Sequence, residues 1–186
     1  MIEASATPFD ALVAIAWSRV WSSVVPPPLF AAAWQALDLP EDQTLRETQF
    51  FSTFHTGFPS PQVPLLLHVA LNRPGDSVRM DFLRAMSHLN VKAGDHMLPP
   101  DHLAVACEIM ASALTADEPV IVQAICERYL APWCDASIDR LAAGNRDLLE
   151  IVLDFQAFVL GLAETGTPAA LSSEDGAVDP RHSAHQ

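Results

Sequence analysis

Asp101 and His102 are the neighbouring residues in this sequence whose chemistry most needs an explanation. They follow Pro99 and Pro100, and an adjacent carboxylate and imidazole can serve catalysis, metal binding or helix capping. We expect a helix from Pro100 to Leu114, because proline is favoured in a first helical turn. Asp101 would then accept a backbone N–H in that turn and oppose the helix dipole, while His102 would be hydrogen-bonded and half-buried. The sequence therefore predicts capping and packing here rather than chemistry.

The other histidines and the cysteines show no spacing typical of a metal site or a nucleophile. Seven histidines and three cysteines occur without a His-Glu-x-x-His or a Cys-x-x-Cys arrangement, so we expect no metal. The sequence also lacks a Gly-x-Ser-x-Gly elbow and a glycine-rich phosphate loop. Cys107, Cys126 and Cys134 fall on apolar helical stripes, which predicts buried, protonated thiols. We therefore expect no catalytic residues and no cofactor.

The segment from Tyr129 to Trp133 places two aromatic residues around Pro132. We expect a proline-made corner between two helices at this point. An aromatic side chain beside such a break either packs into the core or lines a groove for a peptide. The proline-rich connector from Pro59 to Pro64 is expected to be extended and to form another wall of that groove.

Helical signals follow one another along most of the chain. Apolar residues at helical spacing, with prolines and capping residues between them, predict helices near 8–25, 29–39, 41–54, 65–71, 77–91, 100–114 and 119–130. A short helix after Trp133 and a last helix capped by Asn145 complete the series. No strand alternation is visible, so the sequence predicts an all-α fold: a single compact bundle of about eight or nine helices. Residues 1–164 are the predicted helical domain, and 165–186 are the predicted disordered tail.

The net charge of -13 bears on partners. An acidic surface repels phosphate backbones and anionic lipids, so we expect no nucleic acid partner and favour a basic peptide. Simple solubility is an equally good reason for such a charge. The N-terminus lacks a basic region ahead of its apolar residues, and no apolar stretch approaches about 20 residues. With an odd number of cysteines, these features predict a cytoplasmic protein without stable membrane insertion.

Two motifs resemble those of a known family. The segment LPPDHLAVACEIMASAL, followed by ERYLAPWCDA, is similar to the cytoplasmic chaperones that mature molybdenum enzymes, of the TorD, DmsD and NarJ type. That family has a Pro-x-Asp-His-Leu helix start and a His-Leu-x-x-Trp corner. Tyr129 stands here where the commoner pattern has histidine, which weakens a proton-linked role at that position. The segment RETQFFSTFHTGFPSPQVPLLLHVAL resembles a narrower branch, the chaperone subunits of type II enzymes of the dimethyl sulfoxide reductase family, which act on dimethylsulfide, ethylbenzene, selenate or chlorate.

The resemblance implies a TorD-like helical fold, no enzymatic turnover, and a monomer or a dimer. It implies a cytoplasmic partner: the apo catalytic subunit of a molybdopterin-dependent oxidoreductase, held by its twin-arginine leader peptide until cofactor insertion and before export. It also implies that Asp101 pairs with a leader arginine and that His102 tunes release through its charge. The candidate client-binding residues are Pro100, Asp101, His102, Tyr129, Pro132, Trp133, Pro59 and Pro64.

Two other functions remain open at this point. The first is a general helical peptide-binding adaptor or regulator without a molybdoenzyme client. Exchanging paired arginines for lysines in the bound peptide distinguishes it, because lysine lacks the planar guanidinium fork. The second is an enzyme or a nucleotide-binding protein that uses Asp101, His102 and Glu108. We rank it last because the sequence has no phosphate-binding loop.

Overall fold

A computed structural model describes residues 8–42, 44–58, 60–91 and 98–165. In these ranges the chain is helical, and the prediction of an all-α bundle of about eight or nine helices is confirmed. The tail predicted for 165–186 falls almost entirely outside the described residues. The helices are α1 (Phe9–Val20), α2 (Pro27–Ala36), α3 (Phe50–Phe54), α4 (Leu67–Ala70), α5 (Gly75–His88), α6 (Leu103–Thr115), α7 (Pro119–Ile125), α8 (Ala131–Leu141) and α9 (Arg146–Thr165).

Aromatic side chains fill the centre of the bundle. Trp21, just after α1, is fully buried, and its ring centroid lies 5.3 Å from those of Phe54 and Trp133 and 5.5 Å from that of Phe155. Phe54 belongs to α3, Trp133 to α8 and Phe155 to α9. Aromatic pairs of this kind each contribute about 0.5–1.5 kcal/mol beyond the area that they bury. The cluster therefore joins the two ends of the described chain.

The predicted start of the sixth helix is wrong. The helix begins at Leu103 rather than Pro100, and His102 is still extended, with φ −78° and ψ 138°. The reason is a long-range backbone pairing: Leu67 N donates to Asp101 O at 2.9 Å, and Leu103 N donates to Leu65 O at 2.8 Å. This short antiparallel bridge holds His102 extended, so the helix begins only at Leu103.

The predicted corner at Pro132 is also wrong. Helical backbone continues from α7 to α8 through a wider, π-helical turn, Cys126–Leu130. Such turns often accommodate a local disruption of the helical hydrogen-bond ladder. Pro132 has no N–H to donate to the Arg128 carbonyl one turn earlier. The side chain of Arg73 donates to that carbonyl instead, from Nη1 at 2.9 Å.

The last helix begins as its sequence predicts. Asn145 Oδ1 accepts hydrogen bonds from Asp147 N at 2.9 Å and Leu148 N at 3.3 Å, as a capping asparagine does. The Asn145 amide also contacts Gln49 Oε1. The cap therefore ties the start of α9 to the segment before α3. Across the described ranges, no helix has the length and apolar character needed to cross a bilayer.

Candidate functional site

Asp101 is fully buried where three segments meet, just before α6. Its Oδ2 accepts from Nδ1 of His68 in α4, and its Oδ1 accepts from Nε of Arg79 in α5 at 3.1 Å. The predicted capping role is therefore wrong, because the helix starts two residues later and both carboxylate oxygens are bonded elsewhere. The guanidinium and the imidazole compensate the buried charge, which would otherwise cost several kcal/mol. The role that the resemblance implies, pairing with a leader arginine, is filled in this structure by Arg79.

His102, rather than Asp101, caps α6. Its Nδ1 accepts a hydrogen bond from Ala104 N at 3.2 Å, so the neutral ring carries its proton on Nε2. Burial lowers the pKa of His102 to about 4, and the neighbouring Asp101 raises it only in part. His102 is therefore uncharged near neutral pH. A change of its charge between pH 6 and 8, as a trigger for release, finds no support in this environment.

His55, which is half-buried, lies close enough to His102 for their charges to interact. Burial lowers the pKa of His55 to about 4, and His102 contributes to the decrease. Its Nε2 is buried, and the described part of the chain gives it no hydrogen-bond partner. The nearby His102 ring thus adds to the burial that disfavours protonation of His55. Both imidazoles are therefore neutral near pH 7.

Pro64 and Trp133 are brought together as the sequence predicts for two walls of one groove, but they form no open surface. Trp133 is fully buried, and its indole Nε1 donates to the carbonyl of Pro64 at 2.9 Å. Pro64 directly precedes the segment that pairs with residues 101–103. The indole therefore fixes the connector that in turn holds Asp101 and His102. Pro59 lies outside the described residues.

Tyr129 is also buried, in the π-helical turn. Its hydroxyl donates to Asp81 Oδ2 at 2.6 Å, and its ring packs on Phe82 with 4.9 Å between centroids. Burial raises the pKa of Tyr129 to about 12, and the hydrogen bond to Asp81 contributes. Tyr129 is therefore a hydrogen-bond donor to α5 and not a proton-exchanging group at neutral pH.

The sequence-predicted residues thus assemble into a structural hub. We call Asp101, His102, His68, Arg79, Pro64 and Trp133 the hub. The polar side chains of the hub bond to one another or to the backbone of this chain. Pro132 lies in the first turn of α8, half-buried, and contributes to the helix path rather than to a surface. Among the seven candidate residues that the structure describes, Pro100 alone lines the open groove described next.

An open groove of about 810 Å³ runs between α1, the start of α2, the end of α5 and α6. The residues that line the groove are mostly apolar. Val24 and Leu29, at its edge, have side chains that are 48% and 43% exposed. Its other apolar lining residues include Ile15, Val25, Met86, Leu89, Val91, Leu98, Val105 and Ile109. Grooves of this size and character bind apolar ligands or peptide side chains.

Glu108 gives the groove an acidic group among apolar neighbours. It lies on α6 and accepts a hydrogen bond from Ser18 Oγ of α1 at 3.1 Å. Arg19, on the same helix as Ser18, also lines the groove. Motif reasoning missed this site because its walls come from segments far apart in sequence. Two signals were available: the apolar residues around Pro26–Pro28, and an acid within the otherwise apolar α6.

Comparisons with protein-family models, with curated proteins and with solved structures gave no match. The candidate site therefore rests on its own geometry.

The three cysteines are core thiols. Each is fully buried, and burial raises the pKa of Cys126 to about 12 and also raises the pKa values of Cys107 and Cys134. The Cys126 thiol lies 3.7 Å from Met110 Sδ, a contact between soft, apolar groups. Thiols held in this protonated state are poor nucleophiles and poor metal ligands. Within the described ranges, no three histidine, cysteine or acidic side chains are placed to hold a metal ion.

Proposed function

We propose that this chain is a cytoplasmic chaperone that binds the apo catalytic subunit of a molybdopterin-dependent oxidoreductase before export. The apolar groove between α1, α2, α5 and α6 carries the proposal, because it offers an open site for a leader peptide. The Asp-His and Tyr-Leu-x-Pro-Trp motifs supply the family resemblance, and the all-helical fold agrees with it. In this proposal the hub positions α6, and the groove binds the client.

The groove suits the apolar part of a leader. An amphipathic or extended segment can lay its apolar side chains against such a surface, as helix-in-groove ligands do. Val24 and Leu29 would be covered in the complex, together with the deeper wall of α6 around Val105 and Ile109. Burying apolar area of this kind contributes about 25 cal/mol per Å² before the costs of association.

The charges suit the basic part of a leader. The net charge of -13 raises the encounter rate with a cationic peptide. Glu108 provides a carboxylate within the groove itself, next to Ser18. An arginine that reaches this carboxylate from the apolar segment would form a charge-assisted hydrogen bond. The arginine contact in this proposal is therefore Glu108 on α6 rather than the buried Asp101.

Peptide binding tests the role of the groove. The double variant V24E/L29E puts two charges on its exposed edge, where both side chains are accessible enough to be changed without loss of the fold. We expect at least about a tenfold loss of affinity for a synthetic twin-arginine leader, measured by fluorescence anisotropy. The matched control is V120E/L160E, which adds the same two charges at residues 75% and 46% exposed that do not line the groove. An equal loss in both variants would contradict the groove as the binding site.

The identity of the client needs a separate experiment. The tagged full-length chain is purified from its own cytoplasm under molybdenum-replete, anaerobic growth, and co-purifying proteins are identified by mass spectrometry. We expect a large molybdopterin-type subunit whose leader is uncleaved. Exchanging the two leader arginines for lysines should weaken binding, because lysine cannot reproduce the planar fork. A groove-dependent peptide that tolerates lysines, with no such subunit recovered, would instead identify a general peptide adaptor.

A further inference from the structure

Four exposed arginines that do not line the groove lie on segments that contact one another. Arg140 Nη2 donates to the carbonyl of Ala70 at 3.3 Å, three residues before Arg73. Asp81 then links the other two, because its Oδ2 accepts from Arg128 Nη2 at 2.9 Å and its Oδ1 lies 3.4 Å from Arg84 Nη1. We call Arg73, Arg84, Arg128 and Arg140 the arginine stripe.

The ring of Tyr129 packs under two arginines of the stripe, Arg73 and Arg128. The guanidinium carbons of Arg73 and Arg128 each lie 5.5 Å from the centroid of the buried Tyr129 ring. Arg73 also donates to the Arg128 carbonyl, to which Pro132 cannot donate. Arg73 and Arg128 thus lose part of their side-chain freedom before any ligand arrives, which lowers the entropic cost of binding. The side chains of Arg84 and Arg128 remain 74% and 60% exposed.

The stripe contrasts with the composition of the chain. The whole sequence has only 10 lysines and arginines against 23 acidic residues, and four of those 10 belong to the stripe. Asp81, bonded by two of them and by Tyr129, offsets part of the local charge. Beyond about 8 Å, salt screens the acidic remainder of the surface. A short anionic group can therefore reach the exposed guanidinium groups of Arg84 and Arg128.

We propose that the arginine stripe binds an acidic segment of a partner polypeptide. Guanidinium groups pair with carboxylates through two parallel hydrogen bonds, which gives such a contact both strength and geometry. A nucleic acid is a poorer ligand because its phosphates would extend beyond the stripe onto a protein with a net charge of -13. The acidic part of a polypeptide can be as short as the stripe, so that none of its carboxylates lies against the acidic remainder of the surface. The stripe shares no residue with the groove lining, so this contact is additional to leader binding.

Binding of a short labelled peptide of alternating glutamate and glycine to the full chain tests the proposal. The variant R84Q/R128Q removes two charges from the stripe, and we expect about a fivefold or greater loss of affinity. The variant R84K/R128K keeps the charge but not the fork, and should lie between the wild type and R84Q/R128Q. The matched control R46Q/R146Q removes two arginines outside the stripe and should bind like the wild type.

Each other outcome is decisive. Absence of binding to the glutamate peptide at low salt would overturn the proposal, as would equal losses in R84Q/R128Q and R46Q/R146Q, which would indicate only net charge. A single-stranded oligonucleotide of equal charge serves as the competing probe. If it binds more tightly than the peptide and depends on the same arginines, the acidic polypeptide is the wrong class of ligand. Leader binding by R84Q/R128Q should be unchanged, which separates this test from that of the groove.

Discussion

The hub lies at the start of α6 and the groove runs along that helix, and the two are built in opposite ways. In the hub, Asp101 and Trp133 are fully buried and bond to partners within the chain. In the groove, Val24 and Leu29 are exposed apolar residues at an open edge. The motifs that draw attention in the sequence lie in the hub, whereas the surface that can take a ligand lies elsewhere. Motif residues here hold the bundle in shape, and less distinctive residues face the client in our proposal.

Replacement of Asp101 should have the largest effect on stability. D101A leaves the imidazole of His68 and the guanidinium of Arg79 without their common carboxylate, so we expect a loss of about 3–5 kcal/mol in the free energy of unfolding. Urea denaturation measures it. The control D139N, at an exposed position of α8, should change stability little. If D101A kept full stability and lost leader binding, Asp101 would act in client binding like the groove residues. That result would contradict the structural role of the hub.

The pH dependence of stability should show the neutral histidines of the hub region. The pKa of His102 is about 4 in the folded chain against about 6.5 when unfolded, so the unfolded chain takes up the proton first as pH falls. Stability should therefore decrease as pH falls from about 6.5 to about 4, by roughly 2–3 kcal/mol for this group. The variant H102N keeps an oxygen that can accept from Ala104 N but cannot titrate.

Thermal or chemical unfolding of both proteins across this pH range measures the difference. Wild type should lose more stability than H102N between pH 6.5 and 4, while both still respond to their carboxylates. His55, whose pKa is also about 4, should add to the decrease in both proteins. Parallel curves for the two proteins would mean that His102 is protonated in the folded chain, contrary to its burial.

The hydrogen bond from Trp133 to Pro64 should have the smallest of these effects. W133F removes the indole donor and leaves the Pro64 carbonyl without it. W21F is a matched control, because Trp21 is equally buried, in the same aromatic cluster, and its Nε1 has no partner in the described part of the chain. Both variants lose ring volume, so W133F should be less stable than W21F by roughly 1–2 kcal/mol in urea denaturation. If W133F and W21F were equally stable, the hydrogen bond from Trp133 to Pro64 would not contribute to the stability of the hub.

The sequence predicted what depends on local pattern. Helical spacing of apolar residues gave the all-α bundle, and the Asn145 cap could be read from its position ahead of α9. The buried state of the cysteines followed from the same pattern, since each lies on the inner stripe of a helix. In these cases, a residue and its close neighbours in sequence are sufficient to determine the outcome.

The sequence could not predict what depends on distant partners. The sequence predicts that Asp101 caps the helix that follows it. Its hydrogen-bond partners in the structure, His68 and Arg79, lie 33 and 22 residues earlier, outside that local pattern. The corner expected at Pro132 is absent because a π-helical turn and the side chain of Arg73 accommodate the proline. The groove combines residues from four segments, and no single window of sequence contains it.

The backbone bridge between residues 65–67 and 101–103 has a consequence for how the bundle opens. The amides of Leu67 and Leu103 donate across it, so neither hydrogen bond can exist unless both segments are in place. The first turn of α6 is thereby coupled to a contact that closes a long loop, and it cannot fray independently as most helix ends do. In native-state hydrogen exchange, these two amides should report one cooperative opening that includes α4, α5 and the start of α6. A ligand in the groove would slow exchange at this helix start even though it touches neither amide.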